Sequence, residues 1–276
     1  MGGQLWRTDV STDGETSNAT LTNNVLLDAG GDAPTGHRRI YEPPAVAFLT
    51  SGEIAVAVTT GYRAHPLNGS TIDPATGERY PVIQDTVAMV KDLGNYPLQL
   101  ADLTNVTNES VTLSGSAPGW RIVLREPVDD PEDPAQWAGE KVLSEPVVFN
   151  NRLLFTTLLP SAGAEVCSVT GTENRFYSIN LYNGRASGDL TDAGESGGPD
   201  GVTEVGDPVR FTTLNSSNVI ESELAISVES TANGCTDGKS CGDFYVGTQA
   251  VGKYELTPGK IYWKETSVVE NDPRFE

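Results

Sequence analysis

The sequence has no apolar run of 18 residues and no long segment with the 3.6-residue period of an amphipathic helix. The first absence excludes a membrane-spanning helix, and the second predicts a chain with little helix. A charged-then-apolar signal peptide is also missing, because Met1–Val10 enters directly on a strand-like pattern. We therefore expect a mature fragment or a start codon inside a longer gene.

Basic residues are scarce. Lysine and arginine together number 18, against 38 aspartates and glutamates, which gives a formal net charge of −20 over 276 residues. Nucleic-acid binding needs a basic footprint, and the sequence shows none, so nucleic acid is not an expected partner. Two interpretations of the acidic excess stay open: a soluble, self-repelling surface, or divalent-cation binding in acidic loops.

Cysteine is rare, with three residues, and no CxxC pair occurs. A zinc ribbon and a CxxCH haem site are therefore excluded. Cys235 and Cys241 bracket a short polar loop, and we predict a local disulfide between them. Cys167 is then left as a free thiol or as half of a bridge elsewhere. This cysteine usage favours an oxidising compartment.

β-rich runs separated by polar turns are abundant. The clearest stretch is Lys141–Ala186, where runs at Glu145–Phe149, Leu153–Leu158 and Arg175–Leu181 predict an antiparallel meander. The same order of runs and turns recurs at 41–62 and at 224–263. The sequence therefore predicts an all-β fold made of several meanders, with insertions that explain their irregular spacing. Further strands are predicted at 3–10, 45–49, 54–60, 82–90, 110–113, 119–124, 209–213, 224–228, 244–246, 253–256 and 260–264.

Two polar stretches are predicted to be loops. In 9–20, Asp9, Ser11, Asp13 and Gly14 match the spacing of a calcium loop, but Thr20 stands where the bidentate glutamate belongs, so we favour a plain turn. The stretch 63–79 is also predicted to be a long loop.

An acidic, glycine-rich segment at 187–208 is predicted to be a loop insertion. Four of its acids lie within a dozen residues and are candidate calcium ligands, because hard cations need several oxygen ligands at once. Their spacing matches no defined calcium loop, so a solvated loop is the alternative. These candidates are Asp189, Asp192, Glu195 and Asp200.

The same segment contains Gly194–Pro199, which satisfies the G-x-S-x-G pattern of a serine hydrolase. His65 and Asp102 are formally available as base and acid for Ser196. The serine does not follow a strand or open a helix, so a flexible loop is the better interpretation and a hydrolase an alternative. Both histidines, His37 and His65, are interpreted as surface residues.

The four tryptophans divide into two groups. Trp6, Trp120 and Trp263 lie in predicted strands with apolar neighbours, so we expect them in the core. Trp137 follows an acidic, proline-broken loop and is expected to be the most exposed.

A set of short motifs follows a fixed order along the chain. The motifs are Gly3–Arg7, Thr59–Tyr62, Tyr80–Asp85, Gly119–Trp120, Glu140–Pro146, Phe155–Pro160, Cys167, Gly171–Thr172 and Tyr177. In this order they resemble the C-terminal β-propeller of the PilY/PilC family, proteins associated with the tips of bacterial type IV pili. The resemblance covers most of 3–186 and is most specific from Gly119 to Gly184; beyond Asp189 only Lys260–Trp263 aligns loosely.

The resemblance implies a secreted, pilus-associated protein that passes through the periplasm. It implies a non-enzymatic adhesin or pilus assembly factor, with minor pilins and a host or surface receptor as partners. It also implies one propeller-like domain over 1–276, partial or modified, and another chain that completes it, since uncovered blades expose sheet faces and edges. The family's calcium loop lies just before the segment that begins here at Gly3, so it is not carried over. A calcium-dependent carbohydrate-binding module is a further alternative.

Overall fold

The computed structural model describes residues 2–12, 19–30, 38–64, 66, 70–72, 79–81, 83–94, 96–108, 110–124, 139–160, 172–187, 190, 209–214, 224–227 and 240–256. Within these ranges the regular structure is β-strand apart from one 3-10 turn at Leu100–Asp102. This confirms the predicted all-β fold. No helix in the same ranges is long and apolar enough to cross a membrane.

Within the described ranges, the strands form four main sheets. The first sheet has the order β1-β2-β8, and the second has the order β3-β4-β7-β10-β9. The strands of the first sheet are β1 (Gln4–Thr12), β2 (Ala19–Asp28) and β8 (Leu98–Gln99). Those of the second are β3 (Ala45–Phe48), β4 (Ile54–Thr59), β7 (Thr86–Lys91), β9 (Thr104–Asn105) and β10 (Gly119–Val123).

The third sheet has the order β11-β13-β14-β15, with β12 also paired to β13, and the fourth has the order β16-β17-β18. A separate two-stranded ribbon joins β5 (Ser70–Ile72) to β6 (Arg79–Pro81). The strands of the third sheet are β11 (Lys141–Val142), β12 (Val147–Phe149), β13 (Arg152–Leu159), β14 (Glu173–Asn180) and β15 (Phe211–Thr213). Those of the fourth are β16 (Leu224–Ile226), β17 (Ser240–Val246) and β18 (Gln249–Leu256).

The meander predicted in Lys141–Ala186 is confirmed. Strand β13 pairs antiparallel with β12 on one side and with β14 on the other. A two-residue turn joins β12 to β13, in which Asn150 and Asn151 have φ of 47° and 61°. Positive φ at both central residues matches the right-handed twist of the flanking strands, and asparagine tolerates it better than most residues.

The central strands β4 and β7 of the second sheet are buried on both faces because their side chains alternate between two cores. In β4, Ala55 and Ala57 belong to a core shared with the third sheet, whereas Val56 and Val58 belong to a core shared with the first. Successive side chains of a strand point to opposite faces, so one strand contacts two neighbouring sheets. This explains why the run predicted at 54–60 is almost continuously apolar.

The third sheet repeats this arrangement. Phe155 of β13 faces the second sheet, and the adjacent Leu154 belongs to a core shared with Phe244 of β17 in the fourth sheet. In β14, Tyr177 belongs to the core shared with the second sheet, and Phe176 belongs to the core shared with the fourth sheet. The four sheets therefore pack face to face in chain order, from first to fourth.

Three loop or strand predictions are wrong. The stretch 9–20, expected to be a polar loop, contains the end of β1 and the start of β2, because pairing between these two strands outweighs its turn-like composition. The stretch 63–79 contains β5 and the start of β6. Conversely, the strand predicted at 110–113 is absent from the structure. The chain forms a turn there, in which Val111 N donates a hydrogen bond to Asn108 O (3.2 Å).

Candidate functional site

The second and third sheets meet closely where β4 ends and β11 begins. Val142 N donates a hydrogen bond to Thr60 O (3.3 Å). At Gly61 a Cβ atom would lie 2.1 Å from Val142 O, so any side chain there would push the backbones apart. This contact collects several buried ionisable side chains, which we call the junction cluster: Asp85, Glu140, Lys141, Arg175 and Tyr177.

Asp85 lies immediately before β7 and is almost completely buried. Its Oδ1 accepts a hydrogen bond from Thr60 Oγ1 (2.8 Å), which in turn accepts one from Thr86 N (2.8 Å). Its Oδ2 receives no hydrogen bond from the described residues. Burial raises the pKa of this carboxyl to about 6, although Thr60, Lys141 and Arg38 act in the opposite direction.

Lys141 in β11 is a buried cation whose charge acts on the Asp85 carboxyl. It is buried, and its Nζ donates to Gly139 O (2.6 Å). Burial lowers the pKa of the ammonium group to about 8, and the charge of Asp85 works against that change. Asp85 and Lys141 therefore change protonation closer to neutral pH than ordinary aspartate and lysine side chains do.

Glu140 lies next to Lys141 and accepts three hydrogen bonds in the interior. Its Oε1 accepts from Thr157 Oγ1 (2.6 Å) and from the Tyr177 hydroxyl (2.8 Å), and its Oε2 accepts from Arg175 Nη1 (3.2 Å). These donors stand on β13 and β14, so Glu140 holds the start of the third sheet to its two central strands. A buried charge that is paired and hydrogen-bonded in this way is tolerated inside a protein.

Arg175 continues the network towards the surface. Its Nε donates to Glu173 Oε1 (2.6 Å), and its guanidinium carbon lies 4.5 Å from the centre of the Phe211 ring. Burial lowers the pKa of Arg175, but Glu140 and the other groups around Arg175 raise this pKa by more than burial lowers it. The net change is therefore upward. Burial also raises the pKa of Tyr177 well above its ordinary value. Arg175 therefore stays charged and Tyr177 stays a donor at physiological pH.

A half-exposed group of arginines and tyrosines borders the junction cluster. Arg38 Nε donates to Gln84 O (2.6 Å), next to Asp85. The Arg39 guanidinium lies 3.9 Å from the centre of the Tyr62 ring, and Tyr62 stacks on Tyr41 with ring centres 6.1 Å apart. A guanidinium on an aromatic face is a stable arrangement at a protein surface.

The candidate residues from the sequence lie mainly outside the described residues. This holds for the calcium candidates Asp189, Asp192, Glu195 and Asp200, for Ser196, for both histidines and for Cys167 and Cys235. Cys241 lies in β17, where only its backbone is described. Within the described part of the chain, no three His, Cys, Asp or Glu side chains are grouped as a metal site.

The tryptophan predictions give a mixed result. Trp120 is completely buried, as expected, and its indole Nε1 donates to Leu181 O (2.8 Å). The prediction for Trp6 is wrong, since 58% of this residue is exposed. Trp6 lies on the face of β1 opposite to Leu5, and only the face with Leu5 packs on the second sheet. Trp137 and Trp263 lie outside the described residues.

Sequence reasoning did not single out the junction cluster. A usable signal was present, because Asp85, Glu140–Lys141 and Arg175 each interrupt or border an otherwise apolar, strand-like run. A charged residue in such a run is buried only when it is paired. The pairing itself depends on residues far apart in sequence, such as Glu140 and Tyr177.

The fold thus defines a class: an all-β protein whose sheets pack face to face in chain order and are antiparallel apart from the short β2–β8 and β9–β10 pairs. It is similar to the crystal structure of the Pseudomonas aeruginosa PilY1 C-terminal domain, with a TM-score of 0.52 and 14% sequence identity. The similarity covers 83% of this chain and 47% of that chain, so this chain spans about half of that domain's length. No family model and no curated protein sequence matches the chain.

Proposed function

We propose that this chain is a non-enzymatic protein of the type IV pilus, acting at the pilus tip as an adhesin or assembly factor. The single observation that carries the proposal is the likeness of its fold to the PilY1 C-terminal domain. At 14% identity the likeness concerns the fold, so the pilus role remains our inference.

The resemblance of the run from Gly119 to Gly184 to the family also supports the proposal. Its residues hold the second and third sheets together. Trp120 donates to Leu181 O, and a Cβ atom at Gly184 would approach the Trp120 ring to 3.1 Å. Glu140 and Tyr177 belong to the junction cluster. The residues that resemble the family are therefore those that this fold depends on.

The serial packing of the four sheets also fits the propeller that the resemblance implies. In a propeller each blade is covered on both faces by its neighbours, as the second and third sheets are here. We propose that 1–276 forms one propeller-like domain, with 187–208 as an insertion that binds calcium. Minor pilins and a surface receptor would be its partners, outside the cell.

A genetic and microscopic experiment tests the pilus role. Deletion of the gene in its source organism should reduce piliation or surface adhesion, and reintroducing the wild-type gene should restore it. Immunogold labelling of an epitope-tagged chain should appear at pilus tips. Labelling confined to the cytoplasm, or unchanged piliation and adhesion after deletion, would contradict the proposal.

The non-enzymatic part of the proposal has its own test. The purified chain should not react with a fluorophosphonate probe, and a Ser196→Ala variant should behave identically. Probe labelling that disappears in Ser196→Ala would instead establish the serine hydrolase alternative.

A further inference from the structure

Two short segments beside the junction cluster place arginine and tyrosine side chains next to one another. The segments are 38–42 and 61–63, and Gly61 N donates a hydrogen bond to Arg39 O (3.0 Å). Gly61 also packs against β11, where a Cβ atom on it would approach Val142 O to 2.1 Å. The backbone under these side chains is therefore held by its contact with the third sheet, which is the rigid support that a binding surface needs.

Side-chain contacts join the two segments. The Arg39 guanidinium carbon lies 3.9 Å from the centre of the Tyr62 ring, and the Tyr62 and Tyr41 rings are stacked with their centres 6.1 Å apart. Arg63 Nη1 lies 2.7 Å from Glu42 Oε1, and half of the Arg63 side chain is exposed. We call the group formed by Arg39, Tyr41, Tyr62 and Arg63 the arginine–tyrosine patch.

The patch differs in charge from the chain as a whole. Its two segments contain three arginines and one glutamate, whereas the chain has 38 acidic and 18 basic side chains. The glutamate, Glu42, is paired with Arg63, and no carboxylate of the described residues lies within ion-pair distance of Arg39. The hydroxyls of Tyr41 and Tyr62 raise the pKa of Arg39, and no carboxylate contributes to the change. Arg39 is therefore a half-buried cation without a counter-charge, in a chain with an excess of carboxylates.

Arg39 is arranged to receive a carboxylate. A guanidinium has five N–H donors in a planar fork, more than two tyrosine hydroxyls can accept. Such a fork binds a carboxylate through two parallel hydrogen bonds. Stacking on the Tyr62 ring fixes the plane of the fork before a ligand arrives, so less conformational entropy is lost on binding.

Composition and charge indicate the kind of partner. Tyrosine and arginine are enriched in the parts of protein interfaces that contribute most to binding. A long polyanion fits poorly, because the net charge of −20 on the chain repels it within a screening length of about 8 Å. A short segment with one carboxylate among neutral residues gains the pairing with Arg39 and avoids most of that repulsion.

We propose that the arginine–tyrosine patch binds a protein partner through a short segment in which one aspartate or glutamate lies among neutral residues. The carboxylate pairs with Arg39, and the neighbouring residues of the segment lie against Tyr41 and Tyr62. This binding goes beyond the pilus role, because its chemistry is the same whether or not the chain acts at a pilus.

Nuclear magnetic resonance of the arginine side chains tests this directly. The purified chain is titrated with a short capped peptide that has a single glutamate among glycines, and with the same peptide carrying glutamine. The Nε–H resonance of Arg39 should shift and saturate with the glutamate peptide. The glutamine peptide should bind roughly tenfold more weakly, because it lacks the charge-assisted hydrogen bonds. Arg185, which is exposed and lies 3.5 Å from Thr112 Oγ1, is the internal control, and its resonance should not move.

Substitutions at Arg39 identify its resonance and test its role. Arg39→Gln should abolish saturable binding of the glutamate peptide. Arg39→Lys should weaken it roughly tenfold, because an ammonium group keeps the charge but lacks the planar fork. Arg185→Gln is the matched control and should bind the peptide like the wild type. Circular dichroism checks the folding of each variant, and Arg39→Lys replaces Arg39→Gln if that variant does not fold.

Three results would overturn the proposal. The first is an equal shift of the Arg39 and Arg185 resonances, and the second is equal binding of the glutamate and glutamine peptides. The third is tighter binding of a short oligogalacturonate than of the glutamate peptide at the same carboxylate concentration, since the patch would then select an acidic sugar.

Discussion

Trp120 and Leu181 join the second and third sheets through a 2.8 Å hydrogen bond from the indole Nε1 to the carbonyl oxygen. Trp120 is completely buried, and the ring lies against Gly184, where a Cβ atom would approach it to 3.1 Å. One side chain thus fills the core between two sheets and also satisfies a buried backbone carbonyl. Contacts of this kind between sheets therefore contribute to the stability of the whole fold.

Replacing Trp120 by phenylalanine should destabilise the protein by about 2–4 kcal/mol, because it leaves a cavity and removes the donor to Leu181 O. Urea denaturation followed by circular dichroism measures the change. Trp6→Phe is the control, and its effect should be small because Trp6 is largely exposed. Equal effects of the two substitutions would contradict the assignment of Trp120 as the core tryptophan.

Glu140→Gln should destabilise the protein by about 3 kcal/mol, because it leaves the buried Arg175 without its interior counter-charge. Glu173→Gln removes the other carboxylate that binds Arg175, at 2.6 Å, but Glu173 is partly exposed. Its cost should be about 0–1 kcal/mol. Chemical denaturation of both variants in the same buffer makes the comparison, and a larger loss for Glu173→Gln would show that the interior pairing is unimportant.

Stability should fall as the pH rises through the range in which Asp85 ionises. Burial raises the pKa of Asp85 from 3.8 to about 6 in the folded protein. Protonated Asp85 therefore contributes its full stabilisation to the folded state below about pH 4. This stabilisation is lost as the pH rises to about 6, because the Asp85 carboxyl of the unfolded chain releases its proton at a lower pH than that of the folded chain. The loss is on the order of 3 kcal/mol at 1.36 kcal/mol per pKa unit.

Asp85→Asn should remove this slope from the pH dependence of the free energy of unfolding between pH 4 and 7. Asp102→Asn, at an exposed acid of the 3-10 turn, is the control and should retain the slope. If Asp85→Asn keeps the same slope as the wild type, the carboxyl does not titrate as its burial predicts.

Calcium should raise the melting temperature of the purified chain, and chelation should reverse the effect, if the acids of 187–208 bind the ion. Replacing Asp189, Asp192, Glu195 and Asp200 by their amides should abolish the shift. The acids Asp129, Asp130, Glu132 and Asp133 form a matched set of four whose replacement should leave it intact. A melting temperature indifferent to calcium, or equal loss in both sets, would refute the site.

Local pattern was sufficient to predict much of the β-structure. The strands at 45–48, 54–59, 119–123 and 152–159 lie within a residue or so of their predicted bounds, and the Asn150–Asn151 turn lies where the polar dipeptide predicted it. The predictions failed where composition and pairing disagree. The stretch 9–20 has the composition of a loop, but pairing between β1 and β2 places both of its ends in strands.

The candidate site was much less predictable. A buried glutamate at position 140 is tolerable only because donors arrive from Thr157, Arg175 and Tyr177, up to 37 residues away. The exposure of Trp6 is likewise set by which face of the first sheet is covered, and its apolar neighbours in sequence do not reveal this.

Composition and local pattern are enough to show that this protein is acidic, poor in helix and built of short strands, because side-chain periodicity and turn chemistry act over a few residues. Long-range packing is needed to establish which sheets are neighbours, which charges are buried together and which face of the first sheet packs on the second. Those outcomes depend on contacts between distant segments, whose free energies no local pattern encodes.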